Sequence, residues 1–367
     1  MGAGDEQRTI VPDPSQEDVP VDVIVNNHNY GRFVGAAVDS ALAQTHPDVH
    51  VIVVDDGSTD DSREILRSYA DRIELVLKPN GGQASALNAG FARSRGRAVI
   101  FLDADDVLCT DAAARVAAVF ARDPRVVKVQ YRMRVIDAHG EPTGATKPIR
   151  NLPLPQGDIS RDEAVFPFDL VWLPTSANAF SADALRRIMP IPEAEFRACA
   201  DWYLVHLTAL LGHVRSLENL CAEYRMHGDN SYELSDSRLD LPHVRQAILY
   251  SGATRRALDR FIEELGMPRP YGRILSVSEL SNRLVSLRLE PELHPISGDK
   301  IRRILFDGLR AAKRRSDVSW PMKVAYMIWF LAMAIAPRAL AQQLARLLLF
   351  PQTRRAFDPL LRRLHGR

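Results

Sequence analysis

Cysteine is scarce in this sequence, which has only Cys109, Cys199 and Cys221 among its 367 residues. They are too few and too scattered to form a disulfide framework or a zinc site with cysteine ligands. Disulfide-rich secreted proteins and cysteine-based zinc proteins are therefore excluded. A reducing compartment is predicted, and we expect a cytoplasmic location.

A secretory signal is also lacking. Residues 1–20 carry five acidic residues among prolines, with neither a basic start nor an apolar stretch, and are predicted to form a loose leader. The apolar fraction of 46% and the charged fraction of 25% are those of an ordinary globular chain. Disordered, collagen-like and coiled-coil rod proteins are thereby excluded.

Charge is unevenly distributed, although the net charge is only +1. Residues 301–367 contain 14 Lys and Arg against three acidic residues, a surplus of 11 positive charges that leaves −10 for the first 300 residues. Within this tail, residues 324–336 form a run of 13 apolar or aromatic residues, shorter than the roughly 20 needed to cross a bilayer. Leucines then recur at helical spacing over 340–348. Such a basic amphipathic stretch fits a helix on an anionic membrane surface and a helix packed on the protein body equally well.

In the first half of the chain, β-branched runs alternate with helical patterns. Residues 21–25 and 49–54 are predicted as buried parallel strands joined by a crossover helix over 31–44. The alternation continues with helices over 61–69, 83–93 and 110–121 and strands over 73–77, 98–102 and 126–135. This order predicts an α/β fold with a mainly parallel central sheet.

The second half has a different pattern. Residues 137–168 are rich in Pro and Gly and are predicted as a loop or β-excursion that faces the substrate. A helix over 200–211 and a strand over 214–226 follow. From Leu241 onward, Leu, Arg and Ala at helical spacing predict a helical C-terminal region.

Two acidic clusters follow predicted parallel strands, at the strand ends where open α/β sheets bind ligands. One is Asp55 and Asp56, for which a turn and a helix cap are the alternative. The other comprises Asp103, Asp105 and Asp106. Because like charges this close disfavour folding, the second cluster predicts a bound cation, and hard oxygen ligands favour Mg²⁺ or Mn²⁺.

Two other enzyme classes fit less well. The run from Asp103 to Val107 also resembles the nucleophile loop of haloacid-dehalogenase-like phosphatases, but there the strand opens the sheet, whereas here three strands precede it. A dinucleotide-binding Rossmann domain is disfavoured because residues 26–30 contain no G-x-G-x-x-G motif. The sequence has no P-loop either.

Several motifs, in one order over residues 21–231, closely resemble those of family 2 glycosyltransferases. They include the glycine-rich loop and helix of 80–90, the Asp-x-Asp signature of 101–106 and the catalytic segment of 201–204. The other matching segments are 23–30, 39–45, 53–60 and 224–231.

This resemblance implies a GT-A fold, an α/β nucleotide-binding sandwich, followed here by helices. It implies a glycosyltransferase domain over 21–235, with a donor half over 21–135 and an acceptor half over 136–235. The resemblance does not extend over the remaining third of the chain, where residue spacing and charge predict a basic helical region over 236–367 that is a candidate for membrane association. The implied chemistry is direct displacement at the anomeric carbon of the sugar, with inversion.

The resemblance also implies a set of site residues. The implied nucleotide-binding residues are Asn27, Asn29, Asp55, Asp56, Lys78, Gly82, Gln83, Asp103 and Arg225. The implied metal ligands are Asp105, Asp103 and His227, and the Mg²⁺ or Mn²⁺ ion would neutralise the departing nucleoside diphosphate. A structural role is the alternative for His227.

Asp201 is the predicted general base, a role that requires a carboxylate on the side of the sugar opposite the leaving group. The alternative is a simple helix N-cap. The sequence departs from the family pattern at Leu87, where many members carry an arginine against the diphosphate, and at Ala200, where an acidic residue is common. These departures leave a non-catalytic nucleotide-sugar or glycan-binding scaffold as the alternative function.

The absence of a Gln-x-x-Arg-Trp motif argues against a processive synthase and predicts transfer of one sugar per encounter, of the hexosyltransferase type. The predicted partners are a nucleotide sugar, with UDP as carrier, and a glycan, lipid-linked or protein acceptor. An anionic membrane surface is a further candidate partner, whereas nucleic acid is not. Cell-surface glycan or glycolipid synthesis is the predicted pathway class.

Overall fold

The computed structural model describes residues 19–150, 152–171, 173–228, 230, 239–268 and 276–349. Strands in these ranges form one sheet, in the order β3-β2-β1-β4-β8-β6-β9-β5, with β7 paired to β6. The strands are β1 (Val21–Asn27), β2 (Val49–Asp56), β3 (Glu74–Lys78), β4 (Ala98–Asp103), β5 (Val107–Leu108), β6 (Val126–Ile136), β7 (Pro142–Lys147), β8 (Asn178–Ser181) and β9 (His213–Arg225).

Helices cover both faces of the sheet and make up the C-terminal part. They are α1 (Gly31–Leu42), α2 (Ser62–Arg67), α3 (Gln83–Phe91), α4 (Ala112–Arg122), α5 (Ser160–Val165), α6 (Ala182–Ile188), α7 (Ala200–Ala209), α8 (Leu241–Glu264), α9 (Val277–Leu289), α10 (Ile301–Arg314), α11 (Trp320–Ile335) and α12 (Arg338–Leu349). Short 3₁₀ turns lie at Pro167–Asp169, Thr175–Ala177 and Pro291–Leu293.

The predicted parallel sheet is confirmed, because β3, β2, β1 and β4 are all parallel neighbours. Val23, Ile24 and Val25 of β1 are all fully buried. Val23 and Val25 belong to the apolar cluster on one face, and Ile24 to the cluster on the other. Burial on both faces explains why these strands are continuous β-branched runs with no polar alternation.

Two strands, β5 and β8, were not predicted. β5 has only two residues. β8 pairs antiparallel with both β4 and β6 and so joins the two parts of the sheet. It has only four residues, from Asn178 to Ser181, and none of them is Val, Ile or Thr. A strand this short and without β-branched residues carries no recognisable pattern.

The region of residues 137–168 contains β7 and α5, in keeping with a β-excursion, though the helix was not expected. The helical C-terminal region is confirmed, and α9–α12 share a third apolar cluster with the start of α8. The end of α8 packs instead on α7, and Leu258 and Ile262 belong to the apolar cluster on one face of the sheet.

The apolar run 324–336 lies mostly within α11. In that helix Trp329 and Phe330 are buried, whereas Trp320 is exposed. Within the described ranges, no helix combines the length and the apolar character that crossing a bilayer requires. The leader residues 1–18, residues 229 and 231 of the 224–231 motif, and the basic residues after 349 lie outside the described part of the chain.

Candidate active site

The carboxyl ends of β1, β2 and β4 place the first set of predicted site residues along one edge of the sheet. In the parallel register, Asn26 lies beside Asp103 and Asn27 beside Asp55. The Asn26 amide donates to Asp103 Oδ1 at 2.8 Å, and the Asn27 amide donates to Asp55 Oδ1 at 3.0 Å. The two acidic clusters therefore meet across β1, as the strand order requires.

Asp55 is fully buried and held by the protein itself. Its Oδ2 accepts from the Ser58 backbone N–H at 3.1 Å and from Arg63 Nε at 2.7 Å. Burial alone would raise the pKa of Asp55, but the hydrogen bonds from Ser58, Arg63 and Asn27 lower it below its usual value. Asp55 is thus ionised and holds the turn after β2 in place. Its contact with the nucleotide stays a prediction.

Asp56 holds the glycine-rich loop. It accepts from the backbone N–H groups of Gly81 at 2.9 Å and Gly82 at 2.6 Å, and Lys78 Nζ lies 2.5 Å from its Oδ1. Lys78 is therefore paired with Asp56 in this structure. Asp56 and Lys78 together fix the path of the loop that leads into α3.

Asn29 shapes the neighbouring turn. Its backbone is left-handed, with φ of 61°, and its side-chain oxygen accepts from the Thr59 backbone N–H at 2.7 Å. Its own N–H donates to the Ser58 hydroxyl at 2.9 Å. The predicted nucleotide-binding residues Asn27, at the end of β1, and Asn29, in the turn after it, are therefore both held by hydrogen bonds.

Gln83 connects the Asp-x-Asp segment to the helix that carries Asp201. Its side-chain N–H donates to Asp103 Oδ1 at 3.2 Å, and its side-chain oxygen accepts from the Ala200 backbone N–H at 2.9 Å. The Gln83 backbone N–H donates to the Arg197 carbonyl at 2.7 Å. The bonds from Gln83 to Ala200 and Arg197 join segments that are more than 100 positions apart in the chain.

Asp201 lies in the first turn of α7, partly buried beside this junction. The N-cap position itself is Cys199, whose φ of 57° is left-handed, so Asp201 is not the N-cap. Its Oδ1 accepts from the Trp202 backbone N–H at 3.0 Å. Burial, and then the charge of Asp103, raises the pKa of Asp201 to about 7.

The end of β9 supplies the second side of the site. Arg225 donates through Nε to the Asp105 carbonyl at 2.9 Å, and its backbone N–H donates to Asp106 Oδ1 at 3.0 Å. His227 Nε2 lies 3.0 Å from Asp105 Oδ2. The strand pairing of β9 with β5 thus brings the predicted Arg225 and His227 onto the Asp-x-Asp segment.

Two of the three carboxyl groups of this segment, Asp103 and Asp106, have a raised pKa. Burial, and then the charge of Asp105, raises the pKa of Asp103 to about 6. The buried Asp106 has its pKa raised well above its usual value by burial and by both neighbours. Such a cluster attracts positive charge.

Comparison with known proteins agrees with this geometry. Residues 22–170 match the sequence model of the family described as "Glycosyl transferase family 2". Over 220 residues the chain is 36% identical to an uncharacterized glycosyltransferase of Nostoc sp., an alignment that covers 58% of this chain and 66% of that protein. Residues 22–170 form a glycosyltransferase family 2 domain. The resemblance seen in its motifs is thereby confirmed.

Other relatives match this chain over shorter lengths. The chondroitin synthase of Pasteurella multocida is 34% identical over 123 residues, which is 33% of this chain and 13% of that protein. An uncharacterized glycosyltransferase of Rickettsia prowazekii is 42% identical over 87 residues, or 24% of this chain and 27% of that one. The chain thus spans just under two thirds of the Nostoc protein and about a quarter of the Rickettsia protein.

The fold also has a counterpart among solved structures. The crystal structure of S. aureus TarS 1-349 superposes with a TM-score of 0.51 at 16% identity, covering 89% of each chain. Together with the mixed α/β sheet and the helices after it, this likeness confirms the predicted GT-A architecture.

The two departures from the family pattern are accounted for by burial. Leu87 is fully buried in the apolar cluster on one face of the sheet, so its side chain contributes packing and no polar contact to the site. Ala200 is also fully buried, and its backbone N–H is bonded to Gln83. The contact of an arginine with the diphosphate must therefore come from another part of the chain.

Arg32 is a site residue that the sequence analysis missed. Its Nη2 lies 3.2 Å from His227 Nδ1, and its guanidinium lies 4.4 Å from the centre of the Phe33 ring. The Arg225 guanidinium lies 4.9 Å from the same ring. The sequence feature that could have indicated Arg32 as a site residue is its position directly after the motif of residues 23–30, in the first turn of α1. Arg63 and Arg197, each bonded to a loop of the site, were missed because only the tertiary structure brings them there.

The carboxylate and imidazole side chains of this site are candidate ligands for a metal ion. Across the described residues, no three or more His, Cys, Asp and Glu side chains are already gathered as a metal-binding group. The pair that does meet, Asp105 and His227, offers one carboxylate oxygen and one imidazole nitrogen. Both are donors that Mn²⁺ accepts, and Mg²⁺ accepts the carboxylate, with phosphate oxygens commonly completing such sites. The donor set therefore fits a cation that a nucleoside diphosphate helps to bind.

Proposed function

We propose that this protein transfers a sugar from a nucleotide sugar, with UDP as carrier, to an acceptor hydroxyl, with inversion and one sugar per encounter. A single observation carries the proposal: Gln83 bonds to Asp103 of the Asp-x-Asp segment and to the first residue of the helix that carries Asp201. The predicted donor-binding carboxylate and the predicted base are thereby held at fixed positions on one site. The family 2 domain supports the same reaction class.

Asp201 acts as the general base. With a pKa of about 7, its carboxylate takes up a proton near neutral pH more readily than an exposed aspartate does. The acceptor oxygen attacks the anomeric carbon as the bond from that carbon to the diphosphate oxygen breaks. The acceptor proton passes to Asp201, and the electron pair leaves with the nucleoside diphosphate.

The leaving group is stabilised from the opposite side. Arg225 and Arg32, which flank Phe33, supply positive charge near Asp105. Asp105 and His227, with Asp103 beside them, would hold a Mg²⁺ or Mn²⁺ ion that neutralises the diphosphate when bound. Arg225 is the last residue of β9 and is fixed by its bond to the Asp105 carbonyl, so it needs little reorganisation when the donor binds. Arg32 lies in the first turn of α1 and contacts the Phe33 ring and His227.

We place the nucleotide base at the turn after β1. Asn27 donates its amide hydrogens to Asp55 and Ser58, which leaves its buried Oδ1 without a hydrogen-bond donor among the described residues. The ring N–H of uracil and that of guanine are both donors of the kind this oxygen accepts, so the choice of UDP as carrier rests on the motifs.

The acceptor is a glycan, a lipid-linked intermediate or a protein, in the synthesis of a cell-surface glycan or glycolipid. We place the enzyme in the cytoplasm, at the inner face of the membrane. The charge surplus of 11 in residues 301–367 supports this location, because anionic lipids attract basic segments.

Calorimetry with UDP, with and without Mn²⁺, tests the donor site. We expect metal-dependent binding in the wild type and its loss or marked weakening in Asp105→Asn. Asp183→Asn, at a side chain that is 91% exposed, is the matched control and should bind normally. Failure of every nucleoside diphosphate to bind, with or without metal, would overturn the proposed function. Normal metal-dependent binding by Asp105→Asn would overturn only the metal assignment.

A scaffold and an enzyme differ in turnover. An enzyme should slowly hydrolyse its nucleotide sugar when acceptor is absent and should release free nucleotide. A screen of nucleotide sugars by thermal shift identifies the donor to use, because a ligand that binds only the folded state raises the melting temperature. Binding of a donor without any release of nucleotide, in the presence of candidate acceptors, would favour the scaffold.

A further inference from the structure

Arg197 is an exposed residue of the segment that leads into α7, and its side chain lies along the glycine-rich loop. Its backbone carbonyl accepts from the Gln83 N–H at 2.7 Å. A Cβ at Gly82 would overlap this carbonyl oxygen and Arg197 Cγ, so the first part of the side chain packs directly on the loop. Arg197 Nη2 then donates to the side-chain oxygen of Asn80. The side chain of Arg197 therefore runs from Gly82 to Asn80 and carries its charged group to the start of the loop.

Asn80 connects this guanidinium to the turn after β1. Its side-chain N–H donates to the Asp56 carbonyl at 3.0 Å and lies 3.2 Å from His28 Nδ1. His28, Asn80 and Arg197 are all exposed, although they come from segments 52 and 117 positions apart. Since we place the nucleotide base at the turn that contains His28, the guanidinium of Arg197 lies one side chain away from that base.

The charge of Arg197 is not neutralised by a carboxylate in the described part of the chain. Two other cationic side chains at this end of the sheet are paired, Lys78 with Asp56 at 2.5 Å and Arg63 with Asp55 at 2.7 Å. Arg197 donates instead to a neutral amide oxygen. A guanidinium has five N–H donors and stays charged at every accessible pH. Arg197 can therefore offer a charged donor to a ligand at the turn after β1.

We propose that Arg197 is a specificity-determining residue, which donates a hydrogen bond to a carbonyl oxygen at the far edge of the nucleobase. The inference rests on the proposed function and adds to it a selection among bases. Uracil has a carbonyl at position 4 and guanine has one at position 6, whereas cytosine and adenine have an amino group at these positions. An arginine N–H donates to a carbonyl, but it meets an amino group as a second donor. Arg197 thus favours UDP and GDP over CDP and ADP.

The order of residues along the loop sets which edge of the base Arg197 faces. With the base at the turn after β1 and the diphosphate at Asp105, the ribose lies between them, beside Asp103. Gln83 bonds to Asp103, whereas Arg197 bonds to Asn80, three residues before Gln83 and farther from the ribose. The carbonyl at position 2 of a pyrimidine adjoins the ribose, and position 4 is at the opposite edge. The guanidinium consequently faces position 4.

Calorimetry of the full chain with UDP and with CDP, both in the presence of Mn²⁺, tests the proposal, because the two bases differ at position 4 and in the proton on the adjacent ring nitrogen. The wild type should bind UDP roughly 10- to 100-fold more tightly than CDP, the size of one hydrogen bond from a charged donor. Arg197→Met keeps the length of the side chain and removes its N–H groups. It should lower the ratio of the two affinities roughly fivefold or more, mainly by weakening UDP. Arg197→Lys keeps a charged donor and should retain part of the preference.

The ratio of affinities separates base recognition from a role in holding the loop. If Arg197 only stabilised the loop, Arg197→Met would weaken UDP and CDP by the same factor, and the unchanged ratio would overturn the proposal. Arg187→Met, at an exposed arginine of α6, is the matched control and should leave both affinities as they are. Thermal unfolding of each variant without ligand shows whether the fold is intact. An equal change of the ratio in Arg187→Met would also overturn the assignment to Arg197.

The outcomes also separate this inference from the proposed function. No binding of any nucleoside diphosphate to the wild type would overturn both. Binding of CDP or ADP more tightly than UDP and GDP would overturn the role of Arg197 and leave a nucleotide-sugar enzyme intact. Where GDP is the tighter ligand of the wild type, GDP and ADP replace UDP and CDP as the test pair, and the same fall of the ratio is expected in Arg197→Met.

Discussion

At the carboxyl ends of β1, β2 and β4, the chain is held by hydrogen bonds to carboxylates, whereas α9–α12 are held together by apolar side chains. Asp55 and Asp56 each accept bonds that fix a specific turn, and no side chain of another chemical type could accept them. In α9–α12, residues such as Leu284 and Phe330 contribute volume, which other apolar residues can partly supply. The strand ends therefore depend mainly on particular polar residues. The helices depend mainly on apolar packing, to which a few specific bonds are added, such as those from Arg288 to the carbonyls of Met333 and Ala336.

The two regions are nevertheless joined next to the predicted base. The Asp169 carboxylate accepts from the backbone N–H groups of Val277 at 2.8 Å and Ser278 at 2.7 Å, at the start of α9. The adjacent Phe168 stacks on Trp202, with ring centres 5.7 Å apart, and Trp202 follows Asp201. The helical region thus supports the side of the site where the acceptor is expected.

The largest effect is expected from Asp201→Asn, which removes the proposed base and keeps the shape of the side chain. We expect transfer to fall by roughly 10²- to 10⁴-fold. Donor binding should remain nearly intact, because Asp201 lies on the acceptor side, and steady-state transfer assays with parallel calorimetry measure both. Asp183→Asn serves as the control. Unimpaired transfer would show that another residue is the base. A part of the chain other than the strand ends would then also depend on one particular residue.

Phe330→Ala tests the apolar region. The ring is fully buried against Gly308, so its removal should lower the free energy of unfolding by about 3–5 kcal/mol. Phe306→Ala, at a ring that is 63% exposed on the neighbouring helix, should change it by less than about 0.5 kcal/mol. Urea denaturation followed by circular dichroism compares the two. Equal effects would mean that α10 and α11 do not pack as described.

The same contrast explains which features the sequence predicts. β9 was predicted over 214–226 and runs from His213 to Arg225, and α3 was predicted from Gln83, where it begins. These elements follow from the spacing of apolar residues, which is local information. The GT-A fold and the identity of the acidic residues at the strand ends followed from motifs.

What the sequence did not predict depends on contacts between distant segments. The bond from Ala200 to Gln83 spans 117 positions, and Arg32 approaches His227 across 195 positions. No spacing rule indicates such pairs. Likewise, the helical pattern of α11 did not tell which of its apolar residues face outward, because both Trp320 and Trp329 fit an apolar run.

Gly82→Ala should produce a smaller effect than Phe330→Ala. The backbone of Gly82 has φ of 89°, and a Cβ there would overlap the carbonyl oxygen and Cγ of Arg197. We expect a loss of about 2–4 kcal/mol of unfolding free energy and weaker donor binding, since the loop that enters α3 must shift. Gly144→Ala, at a φ of 80° with no atom within 4 Å, isolates the cost of the backbone conformation alone, about 1 kcal/mol. Similar losses in both variants would show that close packing against Arg197 is unimportant.

The smallest effect is expected from pH. A base must be deprotonated to act, and burial and the charge of Asp103 raise the pKa of Asp201 to about 7. kcat/KM for transfer should therefore fall as the pH is lowered through 7, by roughly tenfold between pH 8 and pH 6. The residual activity of Asp201→Asn should be flat over that interval, because the titrating group is gone. A wild-type profile that is flat down to pH 5 would mean that Asp201 has the pKa of an exposed carboxylate. The contacts that bury Asp201, where Gln83 joins Asp103 to α7, would then be absent from the working enzyme.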